Sequence, residues 1–356
     1  MNIQENVNIC DYCTLKVGGS FSYFASINSV EDLEQAFQYA KEHNIKTFVI
    51  GSGSNIVFPD GSLDVLALKM NIQGFEIIND KENKNEDELN SQNYTEVKVK
   101  VGAGEVWDSV VARTVALGLS GIESLSAIPG TAGATPVQNV GAYGQEIKNV
   151  LISVEVYDIE NNKIKTLSNT ECVFTYRDSI FKNEAKGKYI ITGINLNLSR
   201  NKPSIPNYPG VKKYFDEKKI TDPTLLQIRE AIAHIRSTKL PDPKIIANVG
   251  SFFKNSIITK EEFENVKSRI GQTYANIPHF DLENNMVKVP AGWLIENVGL
   301  KGKSFGPIST YEYNAIVLVN DGTACFADVV HARDEIINIV QEKFGIILEC
   351  EPEFVK

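Results

Sequence analysis

Apolar and polar residues alternate along this chain with two clear periods. Val30, Leu33, Phe37 and Ala40 recur at helical spacing, and Ser29 stands three residues before Asp32 as a start signal, so a helix is predicted over 29–43. "KTFVI" (46–50) then reads as a buried strand running straight into the glycine-rich turn "GSGSN" (51–55). Val97, Val99 and Val101 alternate as a half-buried strand does, and a helix is expected over about 106–117. "LISVEVYDI" and "NKIKTLSN" pair through an Asn-rich turn at 161–162, and Ile190, Thr192, Ile194, Leu196 and Leu198 form a further strand.

The second half mixes the two periods. Asp222-Pro223 reads as a cap followed by proline at the first helical position, with Leu225, Ile228, Ile232 and Ile235 on one face, until the two prolines of "TKLPDPK" (238–244) stop the helix. Helices are expected around 260–270, at "AGWLIENVG" and over 326–343, with strands at "NAIVLVN" (314–320) and "IILECE" (346–351). Trp293 is taken as core among Leu294, Val298 and Leu300. The class is α+β with mixed sheets. At 356 residues the chain exceeds one ordinary core, and three parts are expected: 1–70 joined by a terminal strand 346–356, 71–220, and 221–345.

Composition narrows the function classes. The chain is 42% hydrophobic and 23% charged, as a globular protein is. A net charge of -9 argues against nucleic acid or an anionic membrane as a partner. Part of that excess lies in "NDKENKNEDELNSQN" (79–93), which reads as a solvated insertion without catalytic consequence. The start "MNIQENVNIC" carries no signal peptide pattern and no apolar run reaches membrane-spanning length, so a cytoplasmic location is expected. Cys10, Cys13, Cys172, Cys325 and Cys350 are odd in number and scattered, unlike a disulfide framework. The lone C-x-x-C at Cys10 and Cys13 has no second pair to complete a metal site, and the four histidines lie far apart.

Two segments point to a nucleotide-like ligand. "GSGSNI" and "GAGEVW" both lack the third glycine of the dinucleotide fingerprint, and no phosphate-loop motif occurs. A glycine-rich turn after a strand still bares backbone N–H groups, though a plain tight turn reads the same way. In "SAIPGTAGATPVQNVGAYG" (126–144), glycine and alanine are about half of the residues from 127 onward, with Gln138, Asn139 and Tyr143 among them. Such a stretch builds no core; it can wrap a large planar ligand. Taken alone, Arg177 with Asp178 is a charged pair at a strand end, Ser251 a turn serine, Glu351 solvated surface, and Lys239 a cation at a helix C-terminus.

"VIGSGSN" and "IPGTAGATPVQNVGAYG" resemble the two flavin-contacting segments of the UDP-N-acetylenolpyruvoylglucosamine reductase (UDP-N-acetylmuramate dehydrogenase) family. The resemblance continues in order through "YRDSIFK", "TKLPDPK", "GSFFKN", "PAGWLIENVGLKG", "NAIVLVN" and "LECE". It implies a three-domain flavoprotein of the vanillyl-alcohol-oxidase type, from the longer subgroup with a tyrosine loop. The implied reaction reduces an enolpyruvyl sugar nucleotide with NADPH through FAD, in peptidoglycan precursor synthesis. FAD contacts fall on Gly51, Ser52, Gly53, Ser54, Asn55, Pro129, Gly130, Gly133, Gln138, Asn139 and Gly141. Noncovalent FAD is expected, because neither segment contains a histidine.

By the same resemblance, Ser251 is the general acid, Arg177 stabilises the enolate and Glu351 sits with it. Tyr176, Tyr208, Lys239, Asn255 and Asn314 contact the sugar nucleotide, with Tyr274 a second candidate loop tyrosine. The subgroup's Tyr-Gly pair is Tyr208-Pro209 in this chain. Gly250 would leave room for the loop, with Phe252 and Phe253 packed beneath it. An oxidase of the same fold and a nucleotide-binding relative without turnover are the rivals. The first is disfavoured by the missing histidine and the second by the intact Ser251, Arg177 and Glu351.

Overall fold

The computed structural model describes residues 1–78, 95–270 and 277–355, so the acidic insertion and Tyr274 lie outside the described residues. The chain folds as two compact units, one of residues 1–6, 22–52 and 64–236, the other of residues 7–21, 53–63 and 237–356.

The first unit carries a four-stranded sheet in the order Ile3–Asn8, Ser20–Ile27, Ser62–Met70, Lys46–Ile50, whose last two strands are parallel with Val49 opposite Leu68. Lys46–Ile50 is therefore an edge strand. Only Ile50 in it is buried and Val49 is 39% exposed, because a single neighbour covers one side. A five-stranded antiparallel sheet follows, ordered Lys163–Ser168, Leu151–Asp158, Tyr189–Ser199, Glu96–Gly102, Phe75–Ile78. Tyr189–Ser199 is central, pairing Ile194 with Val154 on one side and Val101 on the other. The predicted inward positions Ile190, Thr192, Ile194, Leu196 and Leu198 are all buried, but so are Ile191 and Gly193, so the alternation holds only over 194–199. Helix Val30–Glu42 starts as expected, with the Asp32 N–H donating to Ser29 Oγ at 3.2 Å. Helix Trp107–Ala116 lies within its predicted range.

Two further helices, Pro209–Glu217 and Leu225–Ser237, bury Val211, Phe215, Ile228 and Ile232 in a small cluster of their own, against which Tyr143 packs. The second helix begins after Thr224, not at Asp222-Pro223. Thr224 Oγ1 accepts from the Gln227 N–H, Gln227 Oε1 accepts from the Thr224 N–H, and Asp222 pairs with Lys202 instead. Residues 221–236, expected in a separate substrate domain, group with the first unit through that shared cluster.

In the second unit a sheet ordered Ala247–Ser251, Asn314–Asn320, Ile308–Tyr311 packs with helices Ala291–Asn297 and Phe326–Phe344 around Phe252, Leu294, Leu318 and Ile336. Trp293 is half-buried, its ring 5.6 Å from Phe344. The predicted strand "IILECE" does not form. Residues 346–349 belong to no strand, Cys350 makes a single bridge to Phe253, and Glu353–Phe354 pairs in parallel with Ile56–Val57. These bonds tie the terminal segment to the second unit.

Candidate functional site

In the first unit the two small-residue segments meet. A Cβ on Gly51 would lie 3.0 Å from Thr131 Oγ1 and 3.8 Å from Ala134 Cβ, so the turn abuts a segment eighty residues away. Gly133 lies against Ala103, where a Cβ would approach within 2.6 Å. Pro129 is exposed, while Gly51, Ser52, Gly130, Gln138 and Gly141 are half-buried. The Lys69 ammonium donates to the Gly51 carbonyl, and burial holds its pKa below the usual lysine range. A cradle walled by backbone and small side chains fits a flat, extended cofactor.

Asn139 is buried and left-handed at φ 47°. Its amide donates to Glu146 Oε2 and to the Thr175 carbonyl, both at 2.9 Å, and its carbonyl accepts from the Lys148 N–H at 3.2 Å. Its side chain therefore fastens the cradle segment to the loop that carries Tyr176 and Arg177. Arg177, itself left-handed at φ 57°, donates from Nη2 to the Gly141 carbonyl at 2.6 Å and lies 5.2 Å from the Tyr176 ring. A Cβ on Gly141 would come within 3.1 Å of Arg177 Nη1 and 2.8 Å of Glu146 Cγ. Only glycine lets the guanidinium lie there.

Sequence reasoning gave no role to three neighbours. Arg236 bears electrostatically on the Tyr143 phenol, and Tyr143 packs edge-on against Tyr208 with ring centroids 5.1 Å apart. Burial pushes the Tyr143 phenol up, opposed by Arg236, and burial lowers Arg236. The charge of Arg177 also bears on Arg236. Asp108 holds Arg229 through both oxygens at 2.6 and 2.8 Å. The one readable signal was the seven-residue spacing of Arg229 and Arg236, which puts both on one helical face.

The second unit holds the other candidates. Gly250 is left-handed at φ 73°, yet a Cβ there meets nothing within 4 Å. The glycine thus serves conformation, not room. Phe252 and Phe253 are fully buried, edge to face at 5.2 Å, and hold the loop from below as expected. The loop then pairs with the terminal segment: the Glu351 N–H donates to the Phe252 carbonyl and the Lys254 N–H to the Glu349 carbonyl, both at 2.9 Å. Glu351 is thereby set beside the residue that follows Ser251, and Glu351 and Ser251 are half-buried. Asn55 supports the same segment, donating to the Glu351 carbonyl at 3.3 Å and accepting from the Glu353 N–H at 3.0 Å. Gly53 is buried and Ser54 half-buried.

Asn255 accepts from the Ala291 N–H at 3.1 Å, and Asn314 Oδ1 lies 3.8 Å from where a Gly292 Cβ would be, so both flank the start of one helix. Lys239 is exposed just beyond helix Leu225–Ser237. Arg177, Tyr176 and Tyr208 belong to the first unit, Ser251, Glu351, Asn255, Asn314 and Lys239 to the second. Among the described residues no group of His, Cys, Asp or Glu could hold a metal ion, and no helix is long and apolar enough to cross a membrane.

Comparison with known proteins agrees with this division. A model described as an FAD binding domain matches residues 21–168, which together with the cradle defines the chain as an FAD-binding flavoprotein of the oxidoreductase class. A second, the C-terminal domain of UDP-N-acetylenolpyruvoylglucosamine reductase, matches 242–355. The chain is 38% identical over 352 residues to the UDP-N-acetylenolpyruvoylglucosamine reductase of Flavobacterium johnsoniae, covering 99% of both chains. It is 41% identical over 305 residues to that of Alcanivorax borkumensis, covering 86% of this chain and 83% of the relative. It therefore belongs to the UDP-N-acetylenolpyruvoylglucosamine reductase family. The crystal structure of the Thermus caldophilus enzyme, 22% identical, superposes with a TM-score of 0.64 over 100% of both chains and shows the same fold.

Proposed function

We propose that this protein reduces UDP-N-acetylenolpyruvoylglucosamine to UDP-N-acetylmuramate, using NADPH and noncovalent FAD, as a cytoplasmic step in peptidoglycan precursor synthesis. When bound, FAD supplies the two electrons, as a hydride to the methylene carbon of the enolpyruvyl group. The chain's own residues then have two tasks: to stabilise negative charge spreading from the neighbouring carbon into the carboxylate, and to deliver a proton to that carbon.

Arg177 meets the carboxylate. Its position is fixed by the Gly141 carbonyl, which accepts from one N–H of the guanidinium, and a planar guanidinium suits a carboxylate. Ser251 gives its hydroxyl proton. An aliphatic hydroxyl is a weak acid, but a carbanion is a strong base, so what the enzyme must add is placement. Glu351 acts at the same reacting end. Tyr208, Lys239, Asn255 and Asn314 grip the sugar nucleotide, and Tyr176 backs Arg177. Gly51 to Asn55 and Pro129 to Gly141 would hold the cofactor, Asn139 by fixing the segment as much as by contact.

The observation that supports this reading best is the pairing of 252–254 with 349–351. Two stretches a hundred residues apart, each predicted to be catalytic, are hydrogen-bonded to each other. The test is anaerobic. The purified yellow protein is titrated with NADPH, which should bleach the flavin band, and then given the enolpyruvyl sugar nucleotide, which should restore it. Ser251→Ala should bleach normally and recover roughly 10²- to 10⁴-fold more slowly. Recovery only with oxygen would overturn the reductase reading, and unchanged recovery in Ser251→Ala would overturn the role of the serine.

A further inference from the structure

We propose that Asp108 and Arg236 are positioning residues for FAD: through its N–H and its carbonyl they clamp Ala127, at the entrance of the cofactor segment, in a left-handed conformation that alanine does not favour. The proposal rests on the FAD-binding reading and extends it to residues outside the two cofactor segments.

Ala127 has φ 57° and is the residue two before Pro129-Gly130. In a left-handed conformation the Cβ of an L-residue crowds its own backbone, so alanine stays there only when its surroundings over-determine it. Here they do. The Ala127 N–H donates to Asp108 Oδ1 at 2.6 Å, and its carbonyl accepts from Arg236 Nε at 3.1 Å. Both bonds are charge-assisted, the stronger kind. Neither partner is a loop neighbour: Asp108 opens helix Trp107–Ala116 and Arg236 closes helix Leu225–Ser237.

The clamp is braced. Arg229, seven residues before Arg236, holds the carboxylate of Asp108 with two parallel bonds, and its side chain is only 20% exposed. Burial alone would raise the Asp108 carboxyl, but the bonds from Arg229 and Ala127 outweigh it and hold its pKa below the usual value. Trp107 adds two points of attachment: its indole N–H donates to the Leu125 carbonyl and its backbone N–H to the Gly130 carbonyl, each at 3.1 Å. The stretch 125–130 is thus fastened at Leu125, Ala127 and Gly130, and the strained residue sits in the middle. Strain of this kind at the mouth of a binding segment is a mark of pre-organisation.

The test separates strain from general stability. FAD is stripped from the full chain and rebinding is followed by quenching of flavin fluorescence. Asparagine at 108 keeps the size but loses the charge and one of two acceptor oxygens. Asp108→Asn should weaken FAD affinity by about tenfold, equivalent to ~1.4 kcal/mol, the order of the cost of a left-handed alanine. In an Ala127→Gly background, where the residue adopts that conformation freely, the same substitution should cost little. Arg236→Lys, which removes the planar Nε donor, should behave alike and serves if Asp108→Asn does not fold, as judged by thermal melting of the flavin-free protein. An unchanged affinity, or an equal loss in both backgrounds, overturns the clamp while leaving the cofactor reading intact. A wild-type protein that binds no FAD overturns both.

Discussion

Gly53 and Gly250 belong to the same unit and hold nearly the same backbone angle, φ 62° and 73°, but an added methyl meets opposite surroundings. At Gly250 it meets nothing within 4 Å. At Gly53 it would lie 2.1 Å from the Tyr12 carbonyl oxygen and 2.8 Å from Cys13 Cα, both backbone atoms that cannot swing aside. Gly250→Ala should therefore cost only the conformational term, roughly 1–2 kcal/mol less a few tenths returned by the stiffer unfolded chain. Gly53→Ala adds an overlap costing about 1–3 kcal/mol, for a total of roughly 2–5 kcal/mol. At roughly 2–4 °C per kcal/mol for a unit of this size, the first should lower Tm by a few degrees and the second by about 10 °C. The measurement is thermal melting of both variants without FAD, so that lost cofactor binding does not add to the loss. Equal shifts would refute the reasoning, since the two sites differ only in what a methyl would touch.

Gly141→Ala would place a methyl 3.1 Å from Arg177 Nη1 and also 2.9 Å from the Gln145 carbonyl oxygen, a backbone atom, so both the guanidinium and the local chain must shift and some stability should be lost along with activity. A guanidinium displaced by about 1 Å should cost roughly 10²-fold in kcat/KM while FAD reduction by NADPH is unaffected, which stopped-flow traces of the two half-reactions will separate. Phe252→Ala removes a fully buried ring beneath the serine loop and should destabilise by about 3–5 kcal/mol in urea titration; a loss under about 1 kcal/mol would mean that the ring does not support the loop.

What the sequence disclosed follows from what its periods encode. Alternation records which residues lose water, so the strand Tyr189–Ser199 and the helix Val30–Glu42 were legible in position and extent, although Ile191 and Gly193 are buried too and the helix buries Ala36 where Phe37 was expected. Where a short apolar run has one neighbour or none, the same letters mislead: "KTFVI" lies at a sheet edge and "IILECE" makes one bridge, because both owe their burial to tertiary packing and not to a ladder. Helix Pro209–Glu217 gave no warning, since its two buried residues, Val211 and Phe215, are too few for a pattern. Within the candidate site, motif order pointed to Ser251, Arg177 and Glu351, but what holds them is backbone: a Gly141 carbonyl, a Phe252 carbonyl, an Asn55 amide. Arg229 and Arg236 show where the limit falls. Their spacing announced a shared helical face, yet Asp108 lies 121 residues from Arg229, and no local pattern selects one acid over such a distance. Selection comes from the fold, which brings the first turn of one helix against that face and leaves Ala127 between them.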